Sequence, residues 1–180
     1  MNDATALQGR TESAIAFLRE LIAAQVEGEA AVQAAIGARL AQAGCDVSHH
    51  EYDPAKVPVK GEIDAANGAT GLRSAVVGSL AGEADLPSLL IFAHPDGEPV
   101  TDADQWAHDA FAGEIDNGRM HGWGVADDLA GCAAAVLAVE AAAASGQPMG
   151  RVVFASTPSK RYARGVAALL HDGLRADAAL

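Results

Sequence analysis

The feature that most limits the fold of this chain is an alternation of short apolar runs with longer helical patterns after residue 70. Short apolar runs favour buried strands, whereas apolar residues spaced three or four apart favour helices. Strands are predicted at residues 72–80, 86–93, 151–156 and from 176 onward, and helices at 129–144 and 161–172. Such an alternation predicts an α/β fold with a mostly parallel mixed sheet flanked by helices.

The N-terminal third adds two amphipathic helices and one strand. Phe17 and Leu21 have helical spacing within a predicted helix at 12–24, and Val32, Ile36 and Leu40 repeat that spacing within a second at 27–43. An alternating stretch at 45–52 predicts a strand. Loops are predicted at 53–69, which is rich in Pro, Gly and charge, and at 101–120.

Composition excludes several classes of protein. Half of the 180 residues are hydrophobic, which is enough for a core, and the net charge of −12 disfavours nucleic-acid binding. The two cysteines are far apart, the N-terminus lacks an apolar signal core, and the apolar runs are too short to span a bilayer. We therefore expect a soluble cytoplasmic protein with no membrane or nucleic-acid partner. The sequence contains no phosphate-loop, dinucleotide, zincin or serine-hydrolase motif.

Histidine and aspartate residues follow the predicted strands, where ligands gather in open α/β sheets. His94-Pro95-Asp96 follows the strand at 86–93, and Asp127 lies in a glycine-flanked segment before the helix at 129–144. One histidine nitrogen can bind a metal while a nearby aspartate orients the ring. An isolated His-x-Asp pair, however, more often forms an ordinary hydrogen bond within a loop.

The order of the motifs is more specific than any one of them. The chain carries His-Pro-Asp at 94–96, Trp-Ala-His-Asp-Ala-Phe at 106–111, and Asp-Asn-Gly-Arg-Met-His-Gly-Trp-Gly-Val-Ala-Asp at 116–127. This order resembles the metallopeptidase and deacylase superfamily of acetylornithine deacetylase, succinyl-diaminopimelate desuccinylase, aminoacylase and glutamate carboxypeptidase. The resemblance runs from about residue 10 to residue 180. It implies that residues 1–180 form the N-terminal portion of one metallopeptidase-like catalytic domain.

The resemblance also implies roles for individual residues. His94 corresponds to a metal ligand, Asp127 to the carboxylate that bridges two metals, and Asp96 to a residue that serves catalysis by orienting His94. The implied cofactor is a divalent ion, zinc, manganese or cobalt, with one or two per site. Asp128 replaces an uncharged residue of the commonest pattern, and we expect it to face solvent or to cap a helix.

The next motif departs from the family. Relatives carry Thr-x-Asp-Glu-Glu after the strand, whereas residues 157–161 here are Thr-Pro-Ser-Lys-Arg. Lys160 replaces the family's general base, and Arg161 replaces a metal-binding glutamate. Two positively charged side chains therefore take the places of two carboxylates beside the implied divalent metal ion. A single metal is therefore favoured, and another base is needed. Lys160 and Arg161 are assigned to binding an anionic substrate group. The alternative is that both point outward from a helix.

The resemblance implies a metal-dependent hydrolase that uses metal-activated water to cleave a C–N bond in a small carboxylate-bearing molecule, with a non-standard site. Two alternatives stay open. One is an aromatic aminohydrolase resembling 5-nitroanthranilic acid aminohydrolase, and the other is a non-catalytic metal-binding or regulatory relative. Relatives continue with another acidic ligand, a smaller domain and a late histidine. The expected partners are therefore the remainder of the polypeptide or a second chain, a small-molecule substrate, and copies of the completed unit in a homo-oligomer.

The other histidines are predicted to lie on the surface or to pack in the fold rather than to bind metal. His49 and His50 are expected on the surface, and so is His108. His121 occupies a position where relatives carry an aromatic residue, so a packing role is expected. Cys45 and Cys132 are expected to be small core residues.

Overall fold

The computed structural model describes residues 3–58, 71–160 and 163–180, with side chains from residue 9 onward. The helices are α1 (Asp3–Ala24), α2 (Glu29–Gln42), α3 (Ala130–Ser145) and α4 (Arg164–His171). The strands are β1 (Asp46–Tyr52), β2 (Arg73–Leu80), β3 (Leu89–Ala93), β4 (Glu114–Asp116), β5 (Arg119–His121), β6 (Val152–Ser156) and β7 (Ala178–Ala179). Most of the predicted loop at 53–69 lies outside the described residues.

The main sheet has five strands in the order β1-β2-β6-β3-β7. β3 pairs in parallel with β6 and β7, whereas β2 is antiparallel to both β1 and β6. The predicted mixed α/β sheet is confirmed. Ala93 pairs with Ser156, so β3 and β6 end at the same edge and the residues that follow them emerge side by side.

The core lies on both faces of the sheet because strand side chains alternate between faces. Val76 and Phe154 pack on the face covered by α1, α2 and α3, where Leu21 and Ile36 are completely buried. Val153 packs on the opposite face with Leu169 of α4. The helical spacing in the sequence thus marked the residues that face the sheet.

Helix α3 consists mostly of alanine and aliphatic residues. The segment Val125–Ser145 is long and apolar enough to cross a membrane by length and composition alone. Its Cys132, Val136 and Val139, however, are completely buried against the sheet and the first two helices. The burial of Cys132 confirms its assignment as a core residue.

A two-stranded hairpin, β4–β5, occupies part of the predicted loop at 101–120, so the loop prediction is wrong there. Each strand is only three residues long, which is too short for a visible alternation of apolar and polar residues. Asn117 and Gly118 form the turn with positive φ angles of 49° and 76°. Asn-Gly is the preferred pair for a two-residue hairpin turn, and this was the available signal.

Candidate metal centre

Two parallel strand ends and the start of α3 bring the predicted site residues together. The Thr157 amide donates to the Ala93 carbonyl at 2.9 Å, which fixes the exits of β6 and β3 next to each other. His94 and Lys160 lie on these exits. Asp127 comes from the non-helical segment that leads into α3. His94, Asp127 and Lys160 are hereafter the sheet-edge cluster.

The contacts of His94 define the state of its ring. Nδ1 lies 3.1 Å from the backbone oxygen of Asp96, and because a carbonyl oxygen can only accept, Nδ1 carries a hydrogen. Nε2 lies 3.0 Å from Oδ1 of Asp127. Nε2 and Oδ1 therefore face each other closely enough for one cation to be shared between them.

Asp96 positions His94 through its backbone oxygen rather than through its carboxylate. The carboxylate Oδ1 lies 3.8 Å from His94 Nδ1, beyond hydrogen-bonding distance. This oxygen is buried and has no hydrogen-bond partner among the residues described. The other oxygen accepts from the Lys160 amide at 3.2 Å. Asp96 therefore joins the two strand exits and leaves one buried oxygen that favours a nearby positive charge.

Lys160 points into the cluster. Its Nζ donates to Oδ2 of Asp127 at 2.7 Å, and only 18% of its side chain is exposed. This hydrogen bond, with the charges of Lys160 and His94, lowers the pKa of the Asp127 carboxyl. Solvent screens the attraction, because 69% of the Asp127 side chain is exposed. Arg161, the other predicted cation, lies outside the described residues.

These contacts show which ions the cluster can accept. An imidazole nitrogen and a carboxylate oxygen converge, and this donor pair suits zinc, manganese or cobalt. The Lys160 ammonium occupies the oxygen through which Asp127 would bridge to a second ion. The described residues therefore fit one divalent ion and do not fit a bridged pair. Catalytic zinc sites use three protein ligands, so His94 and Asp127 need a further donor.

The Asp128 carboxylate lies beside the start of α3. A Cβ built on Gly131 would lie 2.0 Å from Oδ1 of Asp128, so the carboxylate folds over the first turn of α3. A negative charge is favourable at that end of a helix. Asp128 was predicted to face solvent or to cap a helix. It lies half-buried beside the start of α3, and no side-chain capping hydrogen bond is formed there among the residues described.

Two cavities border the sheet-edge cluster. One of about 200 Å³ is bordered by His94, Asp128 and Lys160. The other, of about 340 Å³, is bordered by Asp96 and by the ion pair of Glu29 and Arg73, whose charged atoms are 2.6 Å apart. Burial raises the pKa of the Glu29 carboxyl, although Arg73 opposes this effect. Both volumes suit a small molecule rather than a large polymer.

A second group of donor residues was missed by sequence reasoning. His108, Asp116 and His121, hereafter the hairpin cluster, each place one ligand atom within 4.8 Å of the others. The two histidine rings stack with centroids 3.9 Å apart, and His108, which was predicted to lie on the surface, is half-buried. The Asn117-Gly118 turn was the signal, since a hairpin there brings residues before and after it onto one face.

Sequence comparison connects the chain with a known family. The sequence profile of peptidase family M20/M25/M40 matches residues 90–180. Succinyl-diaminopimelate desuccinylase from Rhodopseudomonas palustris is 41% identical over 73 residues, a match that covers 39% of this chain and 19% of that enzyme. The match thus covers about a fifth of the length of this curated relative.

Structural comparison gives the same fold. Human carnosine dipeptidase 1 matches with a TM-score of 0.66 and 16% identity, over 84% of this chain and 33% of that protein. A tripeptidase from Staphylococcus aureus matches with a TM-score of 0.58 and 21% identity, over 92% of this chain and 41% of that protein. At these identities the likeness concerns the fold, and it confirms the predicted α/β architecture.

Proposed function

The chain belongs to peptidase family M20/M25/M40, and from this membership we propose that it forms part of a metal-dependent hydrolase acting on a C–N bond of a small carboxylate-bearing molecule. The observation that carries the proposal is the 3.0 Å contact between His94 Nε2 and Asp127 Oδ1. The Asp96 carbonyl fixes the hydrogen on the other ring nitrogen, which leaves Nε2 to serve as a ligand.

The chain's own residues would hold one divalent ion. His94 and Asp127 provide a nitrogen and an oxygen donor, while Asp96 holds the imidazole ring from its far side. When bound, such an ion lowers the pKa of water and polarises a carbonyl group. The hydrogen bond from Lys160 lowers the pKa of the Asp127 carboxyl, and Asp96 accepts a hydrogen bond from the Lys160 amide, which holds that residue beside Asp127.

Lys160 also supplies the proposed contact with substrate. Its ammonium is hydrogen-bonded to Asp127 in the structure described here. An ion on Asp127 would reduce the negative charge that holds Lys160, and the ammonium could then receive a substrate carboxylate at the edge of the 200 Å³ cavity. Arg161, the neighbouring residue in sequence, is proposed to assist. A succinylated amino acid, as in the name of the curated relative, has both the amide bond and the carboxylate that this scheme requires.

The remaining ligand and the general base are proposed to come from polypeptide outside these 180 residues, either further sequence or a second chain. The proposed setting is the cytoplasm, with the completed unit forming a homo-oligomer. A native mass spectrum of the protein purified from its source without chelator tests this arrangement. A species that contains additional polypeptide and a divalent ion is expected, and a metal-free 180-residue species that takes up no zinc or manganese would contradict it.

Activity is tested on the protein in that native assembly. It is incubated with zinc, manganese or cobalt and with N-succinyl-diaminopimelate, N-acetyl amino acids or dipeptides, and the released amine is quantified. His94→Ala should lower the rate at least about a hundredfold, because a metal ligand is lost. His49→Ala, which removes an exposed histidine on β1, should leave the rate unchanged. Equal rates for both variants would refute the metal assignment. Release of ammonia from an electron-poor aminobenzoate, without amide cleavage, would favour the aminohydrolase alternative.

A second candidate is a non-catalytic metal-binding relative. The ion pair of Lys160 with Asp127 supports it, because a resident ammonium reduces the need for a metal at this carboxylate. Uptake of one divalent ion by the complete assembly, with no turnover of any amide or ring substrate, would favour this candidate over the hydrolase.

A further inference from the structure

The hairpin cluster places nitrogen and oxygen donors on one face of a two-stranded sheet. Glu114 pairs with His121, and Asp116 pairs with Arg119. Cross-strand partners and residues two apart share a face, so Glu114, Asp116 and His121 project to the same side. His108, from the preceding loop, completes the group by stacking on His121.

The hydrogen bond of His108 leaves one ring nitrogen available. Its Nδ1 lies 2.8 Å from a carboxylate oxygen of Glu114, which accepts the hydrogen and leaves a lone pair on Nε2. A carboxylate behind a histidine is the usual support of a metal-binding imidazole. Asp116 accepts one hydrogen bond from Asn117 at 3.0 Å through Oδ2, and Oδ1 stays available.

We propose that His108, Asp116 and His121 form a second divalent metal site, separate from the sheet-edge cluster and independent of the proposed hydrolase activity. Two imidazoles and one carboxylate favour zinc, cobalt or nickel over magnesium or calcium. Ligands bound 2.0–2.2 Å from one ion lie about 3–3.5 Å apart, so donors within 4.8 Å need to close by about an ångström. Asp116 is exposed and at the turn, where such a movement meets little packing resistance.

The local charges are compatible with a cation. Glu114 and Asp116 contribute two carboxylates, and the one basic residue paired with them across the hairpin is Arg119. Within the described residues, Arg119 forms no salt bridge with Asp116, whereas Lys160 does form one with Asp127 in the sheet-edge cluster. The hairpin donors therefore face each other without an ammonium or guanidinium bound between them.

A bound ion would join three separate pieces of chain. His108 belongs to the loop after Trp106, and Asp116 and His121 belong to opposite strands. Trp123, two residues beyond His121, donates from its ring to the Glu98 carbonyl at 2.6 Å. The site would thus be a structural metal site that links the loop carrying His108 to both strands of the hairpin.

Fluorescence can report this site because both tryptophans of the chain lie close to it in sequence. The rings of Trp106 and Trp123 are 5.2 Å apart, and each residue is two positions from a cluster histidine. Co²⁺ quenches nearby indole emission through its partly filled d shell. The protein in its native assembly, carrying His94→Ala to weaken the sheet-edge cluster, is titrated with Co²⁺, and Zn²⁺ is added to displace the quencher.

The variant His121→Phe, added to His94→Ala, keeps a ring against His108 but removes the ligand nitrogen. We expect Co²⁺ quenching to weaken at least about tenfold in affinity. His94→Ala with His49→Ala is the matched control and should bind Co²⁺ as His94→Ala alone does. Circular dichroism verifies folding, and Asp116→Asn replaces His121→Phe if that variant unfolds. Equal Co²⁺ affinity with and without the hairpin ligand, or no quenching in His94→Ala, would overturn the proposal.

Discussion

The sheet-edge cluster and the hairpin cluster contain the same kinds of donor, but only in the first does a lysine side chain already bind the carboxylate. In the sheet-edge cluster, Asp127 shares its two oxygens between His94 and the ammonium of Lys160. In the hairpin cluster, Asp116 and the two histidines converge without a salt bridge to lysine or arginine among the residues described. Donor identity alone therefore does not define a metal site, since a neighbouring side-chain cation can occupy the same position.

The two clusters also differ in how firmly their backbones are held. Two of the sheet-edge residues, His94 and Lys160, follow strands whose ends are paired inside the main sheet. Two of the hairpin residues, Asp116 and His121, lie on three-residue strands that pair only with each other in the described sheets. We therefore expect the sheet-edge cluster to be the more rigid of the two and the hairpin cluster to adjust more on binding.

The largest expected effect comes from exchanging the resident cation for an acid. Lys160→Glu should tighten divalent-ion binding at the sheet-edge cluster by about a hundredfold or more, because unit charges about 4 Å apart interact by about 4 kcal/mol near a protein surface before screening. Equilibrium dialysis with metal analysis, in a His121→Phe background, measures it. Lys160→Met removes the ammonium without adding a ligand, so it should give a smaller gain in divalent-ion affinity. Unchanged affinity in Lys160→Glu would show that the ammonium does not compete with a metal.

Two glycine substitutions should each disturb the backbone near one cluster and leave the other cluster intact. A Cβ on Gly165 would lie 2.4 Å from the Pro158 carbonyl oxygen, so Gly165→Ala should cost about 1–3 kcal/mol and displace Lys160. A Cβ on Gly118 meets nothing within 4 Å, but its φ of +76° makes alanine cost about 1 kcal/mol. Urea unfolding gives both values, and metal affinity should change at a different cluster in each variant: it should rise at the sheet-edge cluster in Gly165→Ala, where the competing ammonium is displaced, and fall at the hairpin cluster in Gly118→Ala. Equal changes at both clusters would show that they are not independent.

The smallest expected effect concerns Tyr52, whose hydroxyl contacts the segment that leads to Lys160. The Tyr52 hydroxyl donates to the Pro158 carbonyl, and burial raises the pKa of Tyr52. Tyr52→Phe should lower the free energy of unfolding by about 1 kcal/mol at neutral pH and leave Co²⁺ binding at the hairpin cluster unchanged.

The raised pKa of Tyr52 also gives a pH dependence. Its contribution to stability is fully present below the unfolded phenol pKa of about 10, and it is lost as pH rises through the folded value. The stability difference between wild type and Tyr52→Phe should therefore shrink above about pH 10 in urea unfolding experiments. A difference that grows with alkaline pH would contradict the assigned hydrogen bond.

Much of the fold was predictable because its periodic signals are long. Val32, Ile36 and Leu40 repeat at helical spacing, and all three are buried in α2. The hairpin was not predicted, because three-residue strands carry almost no periodic pattern and the main local signal for them is the short Asn117-Gly118 turn. Short elements depend on turn chemistry, which sequence patterning detects poorly.

The site was predictable in part. The family order of motifs selected His94 and Asp127, which do meet. The ion pair between Asp127 and Lys160 joins residues 33 positions apart. The stacking of His108 on His121 depends on how a loop folds back on a hairpin. Such contacts depend on tertiary geometry, and local propensity contains no information on it. The roles of Asp96, Lys160 and Arg161 in catalysis and substrate binding stay predictions.

The strand order has a consequence for biosynthesis. β6 lies between β2 and β3 in the sheet, yet residues 152–156 are translated after both of its neighbours. A nascent chain that has emerged only as far as α3 exposes the facing edges of β2 and β3, which are open to wrong pairing. Among these three strands β6 enters last and fills the place between its two neighbours, before β7 adds to the far edge of β3. Lys160 follows four residues after β6, so the His94–Asp127 pair meets its resident cation only once β6 is in place.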